Sequence, residues 1–109
     1  MIRELKEKFI REFTPSEKIV FLEKCREAVF RSRYPADEDL FYYCYFLTLR
    51  ERMRGIGLQG GEGYLRLLLV EGTKDIEDAI KLYRQRLEEK KLSISDPEGR
   101  RFIDYFSGS

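Results

Sequence analysis

Apolar residues recur at intervals of three and four along the first part of the chain. Over residues 2–13 the apolar residues Ile2, Leu5, Phe9 and Phe13 follow one another at these intervals, and most of the positions between them are Glu, Lys or Arg. This period places the apolar side chains on one face of a helix. The pattern therefore predicts an amphipathic helix at the start of the chain.

A second helix is predicted from residue 14 to about residue 33. Thr14 suits the N-cap, Pro15 suits the first helical position, and Glu17 completes a capping box. Tyr34 precedes a proline, which disfavours a helical conformation and predicts the end of the helix. One apolar stripe runs along this segment and consists of Phe21, Leu22, Cys25, Ala28 and Val29.

The most apolar stretch covers residues 40–49, inside the segment 39–54. Five of its ten side chains are aromatic, and four are aliphatic or cysteine. Acidic residues at 37–39 precede it and three arginines between 50 and 54 follow it, which complements a helix dipole. The stretch predicts a helix that is apolar around its circumference and lies at the centre of the fold. A buried strand is the alternative, because Phe and Tyr also favour strands.

The second half of the chain begins with a glycine-rich segment. Five of the eight glycines lie between residues 55 and 63 and predict a loop. The apolar segment 64–70 fits a short buried helix, which we favour, or a core strand. Thr73 is expected to cap the next helix, over residues 74–91. The apolar stripe of that helix consists of Ile76, Ala79, Ile80, Tyr83 and Leu87.

A short last helix is predicted after residues 95–98, where a cap, a proline and a glutamate again follow one another. It would place Phe102, Ile103 and Phe106 against the body of the protein. The predicted fold is all-α, a compact irregular bundle of five or six helices around the aromatic-rich helix, in a single domain over residues 1–109. The alternative is an α+β fold with a small sheet in the C-terminal half, built from strands near 64–70 and 92–94.

Composition excludes several kinds of chemistry. The chain contains no His, Asn or Trp, so a histidine-based catalytic triad and most zinc or iron sites are excluded. We expect no metal and no cofactor. Cys25 and Cys44 are expected to be two buried thiols, with a disulfide between them as the alternative. The absence of Asn and the presence of only two Gln beside abundant Glu, Lys and Arg are typical of a thermophile.

Charge and hydropathy indicate where the protein works. The net charge is +1, which gives no overall attraction to nucleic acid or to an anionic membrane. The first residues alternate charged and apolar side chains, unlike a signal peptide, and no run approaches the length of a membrane span. We therefore expect a cytoplasmic protein.

The apolar residues are more numerous than one small core is expected to hold. Two of them lie off the stripe of the second helix, and several aromatic ones in the central stretch cannot easily all face inward. We therefore predict a non-catalytic protein–protein interaction module or small accessory subunit, which binds itself or another protein. The interface candidates are Ile19, Phe30, Phe41, Tyr42 and Tyr45.

Arginine and tyrosine provide a second hypothesis, a surface that binds nucleic acid or another anion. Guanidinium groups suit phosphates and carboxylates, and tyrosine rings stack on bases. The alternative is that these arginines complement helix dipoles and pair with nearby carboxylates. The candidates are Arg31, Arg33, Tyr34, Arg50, Arg52, Arg54, Tyr64 and Arg66.

The segment LLLVEGTKD at residues 67–75 resembles the first motif of the Toprim domain of primases, topoisomerases and related nucleases. Residues 94–99 are faintly similar to the second motif of that family. The resemblance implies a magnesium-dependent nuclease or primase fragment, with Glu71 as general acid/base and Asp96 as a metal ligand. The chain departs from the family at Glu98, where a second Asp is expected, and it has little room for the intervening strand. This is a remote third hypothesis.

Overall fold

The computed structural model describes residues 2–56, 75–94 and 96–108. Within these ranges the chain forms five α-helices: α1 (Ile2–Glu12), α2 (Pro15–Phe30), α3 (Glu38–Ile56), α4 (Ile76–Glu89) and α5 (Pro97–Ser107). The same ranges contain no strand, so the predicted all-α class is confirmed and the alternative sheet is not supported. Residues 92–94 do not form the strand considered above, and residues 64–70 lie outside the described ranges, as does the glycine-rich segment from residue 57 onward.

The start of α2 follows the predicted local signals. The Thr14 Oγ1 accepts a hydrogen bond from the Glu17 N–H at 3.3 Å, and the Glu17 carboxylate accepts one from the Thr14 N–H at 2.9 Å. Pro15 occupies the first turn. The predicted capping box is therefore confirmed.

The caps of α4 and α5 are both aspartates. Asp96 caps α5 by accepting from the Glu98 N–H at 3.0 Å. Asp75 caps α4 by accepting from the Asp78 N–H at 2.8 Å, so the predicted cap at Thr73 is wrong. A carboxylate at this position satisfies an otherwise unpaired N–H and also faces the positive end of the helix dipole.

The end of α2 comes at Phe30, three residues earlier than predicted. Arg33 adopts a left-handed conformation with φ of 59°, and the Tyr34 N–H donates to the Ala28 carbonyl at 3.0 Å. The chain therefore reverses direction before the proline, and this turn carries it into α3.

The aromatic-rich helix α3 occupies the centre of the bundle. It packs against α2 and α4, while α5 packs on α2. Ring contacts join α1 to α2 and join Phe13, the residue after α1, to α3. Its fully or almost fully buried residues are Leu40, Phe41, Cys44, Tyr45, Phe46, Leu47, Thr48 and Leu49. Cys25 and Cys44 are free thiols and both are buried, as predicted. Among the described helices none is long and apolar enough to cross a membrane.

Candidate functional site

Two of the predicted interface residues lie on the surface of α2. Ile19 is 60 % exposed and Phe30 is 47 % exposed, although α2 turns most of its apolar side chains inward. The two residues are eleven positions apart, which is three helical turns. They therefore project from the same side of the helix, separated by about 16 Å along its axis at about 1.5 Å per residue.

The other three predicted interface residues belong to the interior or border it. Phe41 is fully buried and Tyr45 is 2 % exposed, so the expectation that they face outward is wrong. Tyr42 is half-buried and stacks on Tyr83 at 5.5 Å between ring centroids. The Tyr45 hydroxyl donates to the carboxylate of Glu12. Burial, followed by this hydrogen bond, raises the pKa of Tyr45.

Aromatic residues from other helices explain why these side chains fit inside. The ring of Phe13, the residue that follows α1, lies 5.1 Å from that of Tyr45. Phe106 of α5 lies 5.5 Å from Phe41 and 5.3 Å from Phe9. The core is therefore closed by α1 and α5 as well as by the two helices that flank α3.

Between Ile19 and Phe30 the same side of α2 carries two charges. Glu23 and Arg26 are both exposed, and neither forms a hydrogen bond or ion pair with any described residue. At about 100° per residue the four positions fall within an arc of about 60°. We call Ile19, Glu23, Arg26 and Phe30 the outer face of α2.

A shallow groove of about 340 Å³ lies beside the Ile19 end of this face. Its lining is largely apolar and its only charged member among the described residues is Lys18. The residues lining the groove are Phe9, Pro15, Lys18, Ile19, Leu22, Phe106 and Ser107. The apolar surface around Ile19 is therefore larger than that side chain alone.

The arginines proposed for nucleic-acid binding mostly have protein partners. Arg33 donates to the Ser93 carbonyl at 2.8 Å, and Arg31 is exposed at the end of α2. Tyr34 is 3 % exposed and its hydroxyl donates to Glu88, so its ring does not lie open for base stacking. The side chains of three further candidates lie outside the described residues: Arg54, Tyr64 and Arg66.

Arg52 joins α3 to the junction of α1 and α2. Its Nη2 donates to the Glu12 carbonyl at 2.7 Å and to the Glu17 carboxylate at 2.9 Å. The hydrogen bond from Arg52 is the largest of the causes that lower the pKa of Glu17. Because Glu17 also completes the capping box of α2, Arg52 of α3 contacts both the end of α1 and the start of α2.

A second, more polar pocket lies between α2 and α3 and has a volume of about 160 Å³. We call it the α2–α3 pocket. Tyr43 lies on its wall, and burial raises the pKa of this phenol. The Nε of Arg50 is buried and has no hydrogen-bond partner within the described part of the chain. The described residues that line the pocket are Lys24, Glu27, Ala28, Ser32, Tyr43, Leu47 and Arg50.

The sequence pattern contains a local signal for the faces that line this pocket. Tyr43, Leu47 and Arg50 are spaced by four and three residues and therefore share one face of α3. Lys24 and Ala28 are four residues apart and share one face of α2. Neither set is wholly apolar, which is unusual for faces that meet each other. Only the packing of α2 on α3, however, brings the two faces together.

The residues implied by the Toprim resemblance are not assembled in the described structure. Asp96 is the N-cap of α5, and Glu71 lies outside the described residues. Across residues 2–56, 75–94 and 96–108 there is no cluster of three or more His, Cys, Asp or Glu side chains suited to a metal ion.

Comparisons with models of known protein families, with curated protein sequences and with solved structures found no match to this chain.

Proposed function

We propose that this chain is a non-catalytic interaction module that binds a second copy of itself through the outer face of α2. The observation that supports the proposal is the order of residues on that face: apolar Ile19, acidic Glu23, basic Arg26 and apolar Phe30. Their spacings are four, three and four, which reads the same in either direction. An apolar residue stands at each end, and opposite charges stand in the middle.

Two such faces complement each other when the helices run antiparallel. A two-fold axis between positions 24 and 25 places Ile19 opposite Phe30 of the second copy, and Glu23 opposite Arg26 of the second copy. The symmetry repeats both contacts, as in any isologous interface. Spacings of three and four are also those of side chains that interlock along a helix–helix seam.

The size of the face implies a weak dimer. Roughly half of each Ile19 and Phe30 side chain remains to be buried, which is worth about 1 kcal/mol for each side chain. Two copies bring four such side chains, on the order of 4 kcal/mol in total, and the groove beside Ile19 adds apolar surface. The charge pairs contribute mainly to the choice of partner and of orientation.

The charge pairs provide the sharpest test of the proposal. Sedimentation equilibrium over micromolar to millimolar concentrations measures the dimer dissociation constant. Glu23→Arg places like charges together at both symmetric contacts and is expected to weaken the dimer about tenfold. Arg26→Glu should do the same, and the double variant Glu23→Arg/Arg26→Glu should recover the original affinity. Glu89→Arg, an exposed reversal on α4, is the matched control and should have no effect.

Cross-linking tests the antiparallel orientation independently. A mixture of the Ile19→Cys and Phe30→Cys variants should form a mixed disulfide dimer, whereas each variant alone should not. The two natural thiols are buried and interfere little. A chain that stays monomeric at millimolar concentration would overturn the proposal, and its exposed apolar face would then be assigned to a different protein. A dimer that is insensitive to both charge reversals would assign self-association to another surface.

The nucleic-acid hypothesis remains a prediction from the sequence. Within the described residues Arg33 and Arg52 are engaged by protein acceptors and Tyr34 is buried, so no contact there favours it over self-association.

A further inference from the structure

The α2–α3 pocket carries more hydrogen-bond donors than its own residues satisfy. Four of its lining residues carry N–H or O–H groups: Lys24, Ser32, Tyr43 and Arg50. Glu27 is the only carboxylate among the described lining residues. No charge pair within 4.0 Å joins Glu27 to either cation of the pocket. A wall of this composition is suited to an acceptor that the described side chains do not supply.

Arg50 is the strongest indication that such an acceptor is a ligand. Its Nε is buried and has no hydrogen-bond partner among the described residues, and buried donors in native proteins are rarely left unpaired. Its Nη1 lies 3.4 Å from a Glu77 oxygen, which is long for a charge-assisted bond, usually about 2.7–2.9 Å. Glu77 therefore satisfies only part of the guanidinium.

Tyr43 remains a donor throughout the neutral range. Its half-buried position raises the pKa of the phenol, and the nearby carboxylate of Glu27 acts in the same direction. The hydroxyl therefore keeps its proton and adds a neutral donor to the two cations of the pocket.

The pocket volume limits the size of the ligand. About 160 Å³ corresponds to about five water molecules at roughly 30 Å³ each. Pockets for drug-sized molecules and nucleotides are larger, about 300–1,000 Å³. The α2–α3 pocket accordingly fits a small ion or one terminal group of a larger molecule.

We infer that the α2–α3 pocket binds a protonated tetrahedral oxyanion, inorganic hydrogen phosphate. The unprotonated oxygens accept from Arg50, Lys24 and Tyr43. The P–OH group donates to the Glu27 carboxylate, which would repel a fully ionised anion. Glu27 thus selects phosphate over sulfate, because sulfate has no proton to donate at neutral pH.

The test follows the ligand by nuclear magnetic resonance of the backbone amides during titration with inorganic phosphate, sulfate or chloride at constant ionic strength. Phosphate is expected to give saturable shifts confined to residues 24–32 and 43–50, and to bind about tenfold more tightly than sulfate, the effect of one lost hydrogen bond to a charged group. Methyl phosphate tests the role of the P–OH group. The second pKa of a phosphate monoester is about 6, so above about pH 7 the ester has lost that proton and is expected to bind about as weakly as sulfate. Binding equal to that of inorganic phosphate would contradict the role of the P–OH group.

Variants of the lining residues connect the shifts to the pocket. Arg50→Gln should weaken phosphate binding at least tenfold, and Lys24→Gln provides the same test if Arg50→Gln does not fold by circular dichroism. Glu27→Gln replaces the acceptor with an amide that also donates, and should remove the preference for phosphate over sulfate. Arg100→Gln, an exposed arginine of α5, is the control. Shifts that do not saturate, or a phosphate preference that survives Glu27→Gln, would overturn the inference.

Discussion

Gly99 is the position where the packing of α5 on α2 leaves the least space. A Cβ atom built on Gly99 would lie 2.4 Å from Cγ1 and 3.3 Å from Cγ2 of Val29. Ordinary contacts between carbon atoms are about 3.5–4.0 Å, so Gly99→Ala produces an overlap of more than an ångström. Val29 is fully buried, and its β-branched side chain has little freedom to rotate away.

The expected cost of Gly99→Ala comes from two opposing effects. Overpacking of a core costs about 1–3 kcal/mol, and replacing Gly by Ala within a helix returns up to about 1 kcal/mol. We therefore expect a net loss of about 1–2 kcal/mol in the free energy of unfolding. Val29→Ala removes two buried carbon atoms and should cost about 2 kcal/mol on its own.

The double variant separates this explanation from a general loss of stability. In Val29→Ala/Gly99→Ala the methyl at position 99 occupies space that the valine has left, so the combined loss should fall short of the sum by about 1 kcal/mol or more. Urea denaturation followed by circular dichroism, at a protein concentration too low for dimers, measures all three variants. Gly108→Ala is the control, because its Cβ would meet the nearest atom at 3.4 Å. Additive losses, or a stabilising Gly99→Ala, would refute the reasoning.

Two further predictions concern stability and pH. Arg52→Gln removes the ion pair with Glu17 and should cost about 1–2 kcal/mol in urea denaturation, a value reduced for partial exposure to solvent; Arg100→Gln should be neutral. Because the folded state lowers the pKa of Glu17, this contribution is present above about pH 4.3, the unfolded value, and is lost as the pH falls through the lower folded value. At the alkaline end burial raises the pKa of Cys25 and Tyr45, so the unfolded chain releases these protons first. The free energy of unfolding should therefore decrease above about pH 8.5 and more steeply above about pH 10; a stability that is flat to pH 11 by urea denaturation would contradict both assignments.

The helices were predictable because their signals are local. The residues that form the capping box at Thr14 lie within four positions of each other, as do those of the signal that starts α5. Neighbouring members of each apolar stripe are also no more than four positions apart. The cap of α4 was missed because Thr73 and Asp75 are both acceptable caps. The sequence contains no measure of which one the chain uses.

The position of Phe41 and Tyr45 shows what local patterns leave out. The number of aromatic residues in the central stretch predicted a surplus of apolar surface. In the structure Phe13, from the N-terminal part of the chain, packs against Tyr45, and Phe106, from the C-terminal part, packs against Phe41. These two rings complete the core around Phe41 and Tyr45. Contacts of this kind depend on the order in which helices pack, and nothing in the central stretch itself encodes that order.

The outer face of α2 was, by contrast, visible in the sequence. Ile19 and Phe30 lie off the buried stripe of α2, and the helical period alone is enough to show this. The structure supplies their exposure and the unpaired state of Glu23 and Arg26 among the described residues. The proposed interface is therefore argued mainly from the order of residues along α2, and the tertiary structure adds which of their side chains are exposed.

The sequence by itself determined the helical class, most helix boundaries, the absence of histidine chemistry and the unusual face of α2. These features depend on residue type and on spacing within one helix. Tertiary structure alone decided that the aromatic stretch is enclosed, that Arg52 pairs with Glu17 thirty-five residues away, and that Lys24 and Arg50 share one pocket. Each of these joins residues far apart in the chain, and their distance is fixed only when whole helices pack.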